Sequence, residues 1–400
     1  MSLRPDLDTD GTEAGALGDA QLAALDESGW GVPFRLVQPR NPTFWVLVIG
    51  LLAGAATLVP VVTFSASVYG TALAAGVIGF AAYTVPWWIF LHHYDRYTPL
   101  PVRFVAVGFV WGAIASTFWM AYNANNALLS LYAKWFGQAW AMDWGPGLVA
   151  PFTEELAKAT GLVLLIGLGS RLVRSPYDGF VIGAFVGLGF QVAEDVLYAA
   201  QSAVHSFGAN QISDAVSIIG MRGALGIVSH TLYSAIFCAG LVWFLGRPRS
   251  ERNRPLGIAL MAFAMFSHFV WDSMSALAAA LFGKPELGLV LGVALMIVDI
   301  VAVVWVARRA SDIERHWMRD LLAPEVARGT ITDAEVAALA GTRKDRHRYA
   351  RSASHGRRRA HHVLEATAEL AAAIAHGHGA QTDELTQIRD EVAQLRTSPH

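Results

Sequence analysis

The sequence predicts an all-α membrane protein, a polytopic bundle of about eight spans followed by a small helical tail. Three observations predict this class. Of the 400 residues, 54% are hydrophobic and only 16% are charged, whereas roughly a quarter of the residues are charged in soluble domains. The charged residues concentrate at the chain ends and between long apolar stretches. The 13 tryptophans are typical of the aromatic belts at the two surfaces of a bilayer.

The spans are placed where apolar stretches reach the roughly 20 residues that a bilayer crossing requires. They are expected at about 43–66, 70–93, 102–122, 146–167, 177–200, 218–245, 255–282 and 286–308. The segment 123–140 is predicted to be an amphipathic helix at the membrane surface. Residues 1–42 lack the apolar core of a signal peptide and are expected to form a disordered cytoplasmic segment. Residues 43–308 are then the membrane domain that carries the active-site cluster.

The orientation follows from the distribution of arginine and lysine, because cytoplasmic loops are enriched in both. Basic residues precede the first span and follow the second, fourth, sixth and eighth, for example Arg35, Arg96, Arg171, Arg247 and Arg308. The opposite side carries only the exceptions Lys134, Arg222 and Lys284. Both termini are therefore predicted in the cytoplasm. Arginine exceeds lysine and alanine is abundant, as in GC-rich bacterial genomes, so a bacterial plasma membrane is the expected location.

Residues 309–400 are predicted to form a cytoplasmic helical tail. Thr332 and Glu335 have the spacing of a capping box ahead of a short helix. Apolar periodicity over 361–376 and again over 383–395 predicts a helical hairpin.

The tail also contains charged and metal-binding residue types that are not expected to form the site. The basic run Arg343–Arg359 is interpreted as a solvated face beside the cytoplasmic leaflet, with anionic-lipid binding as the alternative, and no nucleic-acid partner is expected. Eight histidines here have nothing to hold them rigid: His316, His347, His355, His361, His362, His376, His378 and His400. The single cysteine, Cys238, excludes a disulfide framework and a thiolate metal site.

Ionisable residues inside the fourth to seventh spans are the main functional signal. They are Glu154, Glu155, Lys158, Glu194, Asp195, His230, His268 and Asp272. Each charged side chain at mid-bilayer costs about 2.5–3.5 kcal/mol on insertion scales. Counting 1.5 Å per residue from the predicted span ends places five of them about 9 to 21 Å from the outer surface: Glu154, Glu194, His230, His268 and Asp272. Four helices of alternating direction therefore bring these groups into one layer.

The charge of this layer predicts either protonated acids or a bound divalent cation. Five carboxylates against one lysine cannot all be ionised in low-dielectric surroundings. Two neutral imidazoles and a carboxylate form a set that binds zinc and leaves a fourth position for water. A further acid nearby can then act as a general base.

Purely structural roles for these residues are the alternative to a metal site. A membrane histidine is often only a hydrogen-bonding packing residue, and Glu154, Glu155 and Lys158 alone could form a structural ion pair. Asp299 in the eighth span, and His92 and His93 at the cytoplasmic end of the second, are assigned to structure or to the membrane interface. The convergence of four motifs in one layer is what favours a functional site.

Four segments on successive spans resemble the four motifs of the PrsW family of membrane proteases. They are FTEELAKA (152–159), GLGFQVAEDVLY (187–198), SHTLYSAIFCAG (229–240) and SHFVWD (267–272). The resemblance covers roughly residues 70–285. The family, a distant relative of the CAAX-prenyl proteases, is classed as metalloproteases.

The resemblance implies specific roles. Glu154 would be the general base or its partner, and the metal would be bound by Glu194, His230 and His268. The remaining catalytic candidates are Glu155, Lys158 and Asp272. Adjacent helical residues point about 100° apart, so only one of the two glutamates can face the reacting water while Lys158 holds the other. The sequence leaves open which glutamate has which role.

These inferences predict an intramembrane, metal-dependent endopeptidase, and the ligand set predicts Zn²⁺ as its metal. Its substrate would be a membrane-anchored protein cleaved near the extracytoplasmic face, and the resemblance suggests an anti-sigma factor. The alternatives are a transporter or proton pathway, and a scaffold that kept the fold without the chemistry. A relay needs ionisable groups across the whole bilayer, whereas the inner half of these spans is nearly bare.

Overall fold

The structure, a computed structural model, describes residues 9–226, 229–353 and 356–397. All regular secondary structure in these residues is helical, which confirms the predicted all-α class. The chain divides into two compact units. The membrane unit comprises Phe34–Arg96 and Leu100–Ala310, and the terminal unit comprises Met1–Pro33, Tyr97–Pro99 and Ser311–His400.

The membrane unit contains long apolar helices joined by short connections. Six helical stretches of the described chain are long and apolar enough to cross a membrane, as expected for a multi-pass membrane protein. The helices are α2 (Pro42–Tyr94), α3 (Val102–Val110), a π-helical segment (Trp111–Ala121), α4 (Tyr122–Phe136), α5 (Gln138–Leu168), α6 (Pro176–Ser202), α7 (Gln211–Leu225), α8 (His230–Leu245), α9 (Arg254–Asp272), α10 (Met274–Phe282) and α11 (Gly288–Ala310).

Helix α2 folds back on itself at Tyr69, where φ is −128° and ψ is 40°. Gly50 in its first half packs against the indole of Trp111. Trp88 in its second half lies 5.5 Å from the ring of Phe109. An unbroken helix would separate residues 50 and 88 by about 57 Å, so the two halves must run antiparallel. They correspond to the spans expected at 43–66 and 70–93, although the total of eight spans stays a prediction.

Two predicted spans are divided in the structure. The span expected at 218–245 consists of α7 and α8, and α8 begins at His230. The span expected at 255–282 is interrupted at Ser273, between α9 and α10. Hydropathy cannot reveal such breaks, because apolar residues continue through them. Interrupted helices are tolerated within a bilayer where the freed backbone lines a protein cavity.

The segment expected as a surface helix at 123–140 takes a different form. Helix α4 ends at Phe136, and Gly137, with φ of +90°, reverses the chain into α5. Helix α5 therefore begins at Gln138, eight residues before the expected start of the fourth span. Contact between Leu129 and Gly145 shows that α4 packs antiparallel to the first turns of α5. This packing brings the polar residues of α4 to the same level as Glu154.

Close packing of α6 against α8 positions one wall of the site. Gly183 and Gly187 face the carbonyl oxygens of Ser234 and His230 so closely that a Cβ atom would collide with this backbone. Small residues spaced four apart allow membrane helices to approach in this way. The start of α8, and with it His230, is thereby held against the middle of α6.

The terminal unit has its own apolar core. Its helices are α1 (Thr9–Ser28), α12 (Asp312–Ala327), α13 (Asp333–Leu339), α14 (Arg343–Ser352), α15 (Arg357–His376) and α16 (Asp383–Thr397). The capping box of Thr332 and Glu335 is confirmed, as are the helices expected over 361–376 and 383–395. His355 and His400 lie outside the described residues.

The expectation that residues 1–42 are disordered is wrong for residues 9–28, which form α1. Leu25 of α1 is buried in the same cluster as Leu321 and Leu370 of the tail helices. The unit boundaries therefore fall at Pro33 and Ser311 rather than at 42 and 309. Composition did not predict α1, because its few apolar residues are stabilised by helices almost 300 residues away in the sequence.

Candidate active site

Helix α5 contributes two glutamates and a lysine that are almost completely buried. Lys158 Nζ lies 2.8 Å from Glu155 Oε1 and 3.5 Å from Glu154 Oε2. These contacts match the expected i,i+3 and i,i+4 spacing on one helix. The ammonium group also lies 2.9 Å from His230 Nδ1 and 4.1 Å from the centre of the Phe190 ring. A buried lysine with these partners keeps the two acids of α5 in fixed positions.

The two adjacent glutamates have different surroundings. Glu155 is enclosed: Lys158 and Ser234 donate hydrogen bonds to its two oxygens, and His268 Nδ1 lies 3.1 Å from Oε1. Glu154 instead lines a cavity and accepts a hydrogen bond of 3.0 Å from Asn125 Nδ2. The question that the sequence left open, which glutamate faces the open space, is thus answered in favour of Glu154.

The two histidines lie side by side, with ring centres 5.0 Å apart. Each has a carboxylate against one ring nitrogen. His230 Nε2 is 2.9 Å from Glu194 Oε2, and His268 Nδ1 is 3.1 Å from Glu155 Oε1. When these nitrogens donate, the opposite nitrogens, His230 Nδ1 and His268 Nε2, carry the lone pairs of the neutral rings. A carboxylate at the second nitrogen is the usual partner of a metal-binding histidine.

Glu154, His230 and His268 form a group whose donor atoms lie within 4.8 Å of one another. Glu154 Oε2 is 3.6 Å from His230 Nδ1 and 3.7 Å from His268 Nε2. Ligands around a tetrahedral zinc ion are about 3.3 Å apart, given bond lengths near 2.0 Å. The chemistry and the spacing of this set therefore fit a metal ion.

Asp272 provides a second test of this fit. Its Oδ2 lies 3.3 Å from His268 Nε2, the nitrogen that also faces Glu154. With Nδ1 donating to Glu155, a neutral His268 ring would turn a lone pair towards two carboxylates. A proton or a cation must lie among these atoms to make the arrangement stable.

Glu194, which the resemblance places at the metal, lies outside the group of three. Its Oε2 contacts His230 Nε2. The same oxygen forms an ion pair with Arg222 Nη2 at 2.8 Å. The neighbouring Asp195 contacts Arg222 Nε through Oδ1. Glu194 is therefore beside a histidine of the group rather than among its donor atoms.

The sequence did not predict three polar residues of the site: Asn125, Arg222 and Ser234. Arg222 had a recognisable signal, since it is one of few basic residues on the arginine-poor side of the predicted topology. It adds a positive charge that reduces the excess of carboxylates. Asn125 and Ser234 had no signal, because uncharged polar residues are common in membrane helices.

The residues assigned to structure lie outside the cluster. Asp299 of α11 is buried and accepts a hydrogen bond of 2.8 Å from Ser267 Oγ. His93 Nδ1 lies 2.8 Å from the carbonyl oxygen of Ile89 in its own helix.

The cluster opens into a cavity of about 160 Å³. Its polar lining includes Asn125, Glu154, Glu194, Arg222, His230, His268 and Asp272. Glu155 and Lys158 are absent from this lining and lie behind it. The cavity therefore exposes the candidate metal ligands and Asp272 while the supporting ion pair stays enclosed.

Comparison with protein families gives one match. The model described as PrsW family intramembrane metalloprotease matches residues 100–306, just over half of the chain. This range contains α5 to α9 and every residue of the cluster. The searches of curated proteins and of solved structures return no match.

Proposed function

We propose that this chain, which belongs to the PrsW family of intramembrane metalloproteases, cleaves a membrane-anchored protein with a zinc ion as cofactor. The observation that carries the proposal is the group of Glu154, His230 and His268, in which both histidines have a carboxylate at the other ring nitrogen. Such a set is suited to a metalloprotease, because it leaves a ligand position open.

Glu154 Oε2, His230 Nδ1 and His268 Nε2 would hold the metal. The metal would supply Lewis-acid chemistry and lower the pKa of a water molecule. Glu155 and Glu194 orient the two imidazole rings through their contacts with the ring nitrogens that do not face the metal position. The Lys158 ammonium lies close to His230 Nδ1, so it would move towards Glu155, its nearer carboxylate.

Asp272 is the proposed general base. Its Oδ2 is within 3.3 Å of His268 Nε2, and 22% of its side chain is exposed. This position lets Asp272 take a proton from a water molecule in the cavity and pass it to the leaving amine. The proposal changes two roles that the resemblance implied, since Glu154 becomes a metal ligand instead of the base or its partner, and Glu194 becomes a support of His230 instead of a ligand.

The substrate class follows from the location of the cavity within the membrane unit. A membrane-anchored protein whose scissile bond enters the bilayer region can reach residues that lie between membrane helices. We propose cleavage near the extracytoplasmic face, on the basis of the predicted depth of the cluster.

Peptide termini compared between a wild-type strain and a His268→Ala strain test the proposed activity. We expect at least one membrane or secreted protein to have a terminus that only the wild type produces. Identical sets of termini, with both proteins present in the membrane in equal amounts, would contradict proteolysis.

Cysteine labelling tests the predicted orientation. In a Cys238→Ser background, a cysteine at Ser250 should react with an impermeant reagent only after cells are permeabilised, because the basic loops are cytoplasmic. A cysteine at Ala209, between α6 and α7, is the matched control and should react in intact cells. Both positions are exposed. Labelling of position 250 from outside would reverse the orientation.

Removal of the terminal unit is expected to leave cleavage within about twofold of wild type, because every residue of the cluster belongs to the membrane unit. The deletion should remove residues 1–33 together with 311–400. If only 311–400 were removed, Leu25 would lose the tail side chains that bury it. Cleavage of a verified substrate is the measurement, with monodispersity in detergent as the folding control. Complete loss of cleavage by a monodisperse truncation would place the terminal unit in the catalytic machinery.

A further inference from the structure

Arg222 contacts the site from a helix that supplies none of the family-like motifs. We infer that Arg222 is a positioning residue of the metal site, which fixes Glu194 against His230 and anchors the last turn of α7 to α6. The inference rests on the proposed function, because it assumes that His230 binds the metal. It goes beyond that function by assigning a role to a residue outside the four motifs.

A single carboxylate oxygen links Arg222 to the histidine. Glu194 Oε2 lies 2.8 Å from Arg222 Nη2 and 2.9 Å from His230 Nε2. Two donors on one oxygen fix the position of the carboxylate more strictly than either donor alone. The direction in which His230 Nδ1 points therefore depends on the guanidinium two contacts away.

The guanidinium is itself held on two further sides. Its Nε contacts Asp195 Oδ1, and Cζ lies 4.1 Å from the centre of the Tyr198 ring. Glu194, Asp195 and Tyr198 all belong to α6. The planar guanidinium uses separate N–H groups for the two acids and its face for the ring, a combination that a lysine ammonium cannot reproduce.

The packing of α7 explains why this contact matters. Among the described side chains of α7, only Ala215 is buried, and it lies in a cluster with Ala72 and Ala199. Further along the helix, Gly220 and Gly223 have no atoms within 4 Å of the position a Cβ would take. The end of α7 is thus held to α6 by two polar contacts: Arg222 in its last turn, and the carbonyl oxygen of its C-cap Gly226, which accepts a 2.8 Å hydrogen bond from Gln191 Nε2.

Loss of a hydrogen bond that supports a metal-binding side chain weakens metal binding by about 10- to 100-fold in known metal sites. We therefore expect Arg222→Gln to lower the affinity for Zn²⁺ by roughly tenfold. Arg222→Lys should fall between this variant and the wild type, because it keeps the charge and loses the second contact. Glu194→Gln should show a loss similar to that of Arg222→Gln.

The measurement is competition for Zn²⁺ between a chelator and the full-length protein in detergent, which does not depend on activity. The double variant Arg222→Gln with Glu194→Gln should bind no more weakly than the weaker single variant, because both changes remove the same support. Arg254→Gln is the matched control. Arg254 also faces an aromatic ring, that of Phe244 at 5.8 Å, but it lies outside the cluster, so zinc affinity should not change.

The outcomes separate this inference from the proposed function. Wild-type zinc affinity in Arg222→Gln, alongside weaker binding in Glu194→Gln, would overturn the role of Arg222 and leave the metal site intact. Fully additive losses in the double variant would also overturn it, because they would show independent effects. If Arg222→Gln does not fold, wild-type affinity in Arg222→Lys would overturn it equally. A wild type that binds no zinc would overturn the proposed function and this inference together.

Discussion

Replacing His230 and His268 with alanine is expected to remove the metal and abolish cleavage. The wild type should carry about one zinc ion per chain, and each single variant should lose most of it, because two of three protein ligands are imidazoles. The effect on the fold should be smaller, since both rings line a cavity rather than fill a core. Metal content is measured by elemental analysis, and cleavage is measured on a verified substrate.

The histidines of the terminal unit require a control, because exposed ones such as His361 and His362 could bind zinc adventitiously. The measurement is therefore made on protein that lacks residues 1–33 and 311–400. His92→Ala with His93→Ala provides the matched comparison within the membrane unit, and this double variant should keep its metal. A monodisperse wild type without metal after gentle purification would favour the proton-pathway or scaffold alternatives.

The sequence predicted the helical class and the cluster because both depend on strong local signals. Long apolar stretches identify membrane helices, and an acid or histidine within them is rare enough to be noticed, as with Glu194 and His268. The pairing of Lys158 with Glu154 and Glu155 follows from helical spacing alone. These features need no knowledge of which helices are neighbours.

Features that depend on tertiary packing could not be predicted in the same way. The break before His230 and the reversal at Gly137 occur within apolar or amphipathic sequence, where hydropathy changes little. The hydrogen bond from Asn125 to Glu154 joins two helices whose register no periodicity defines. Helix α1 gains its stability from distant tail residues, so its weakly apolar sequence suggested disorder.

The choice between Glu154 and Glu194 as a ligand also depends on packing. Both are acids on helix faces that point into the cluster, and their spacing in the sequence does not favour either as the metal ligand. The structure separates them by their partners, since Glu194 is paired with Arg222 and Glu154 lies between the two histidines. The sequence identifies Arg222 only as a basic exception on the arginine-poor side, so it does not predict that Glu194 has a cationic partner.

Substitution of the three acids around the histidines should separate their roles. Glu154→Gln is expected to lose both metal and cleavage, because it removes the charged oxygen nearest to His230 Nδ1 and His268 Nε2. Asp272→Asn should keep the metal and lower cleavage by roughly 10²- to 10⁴-fold, the contribution of a general base. Glu155→Gln should lower metal affinity by about 10- to 100-fold, because it weakens the support of His268.

Metal content and cleavage rate are measured on the same preparations, so that the two effects can be assigned separately. Asp299→Asn is the matched control, since Asp299 is a buried acid of the same unit that contacts Ser267 and not the histidine rings. It should retain the metal. If Glu154→Gln keeps its metal and loses cleavage, Glu154 is the base, as the resemblance implied, and the ligand role returns to Glu194. If Glu154→Gln and Asp272→Asn both cleave at wild-type rates, neither acid takes part in the reaction and the proposed mechanism is wrong.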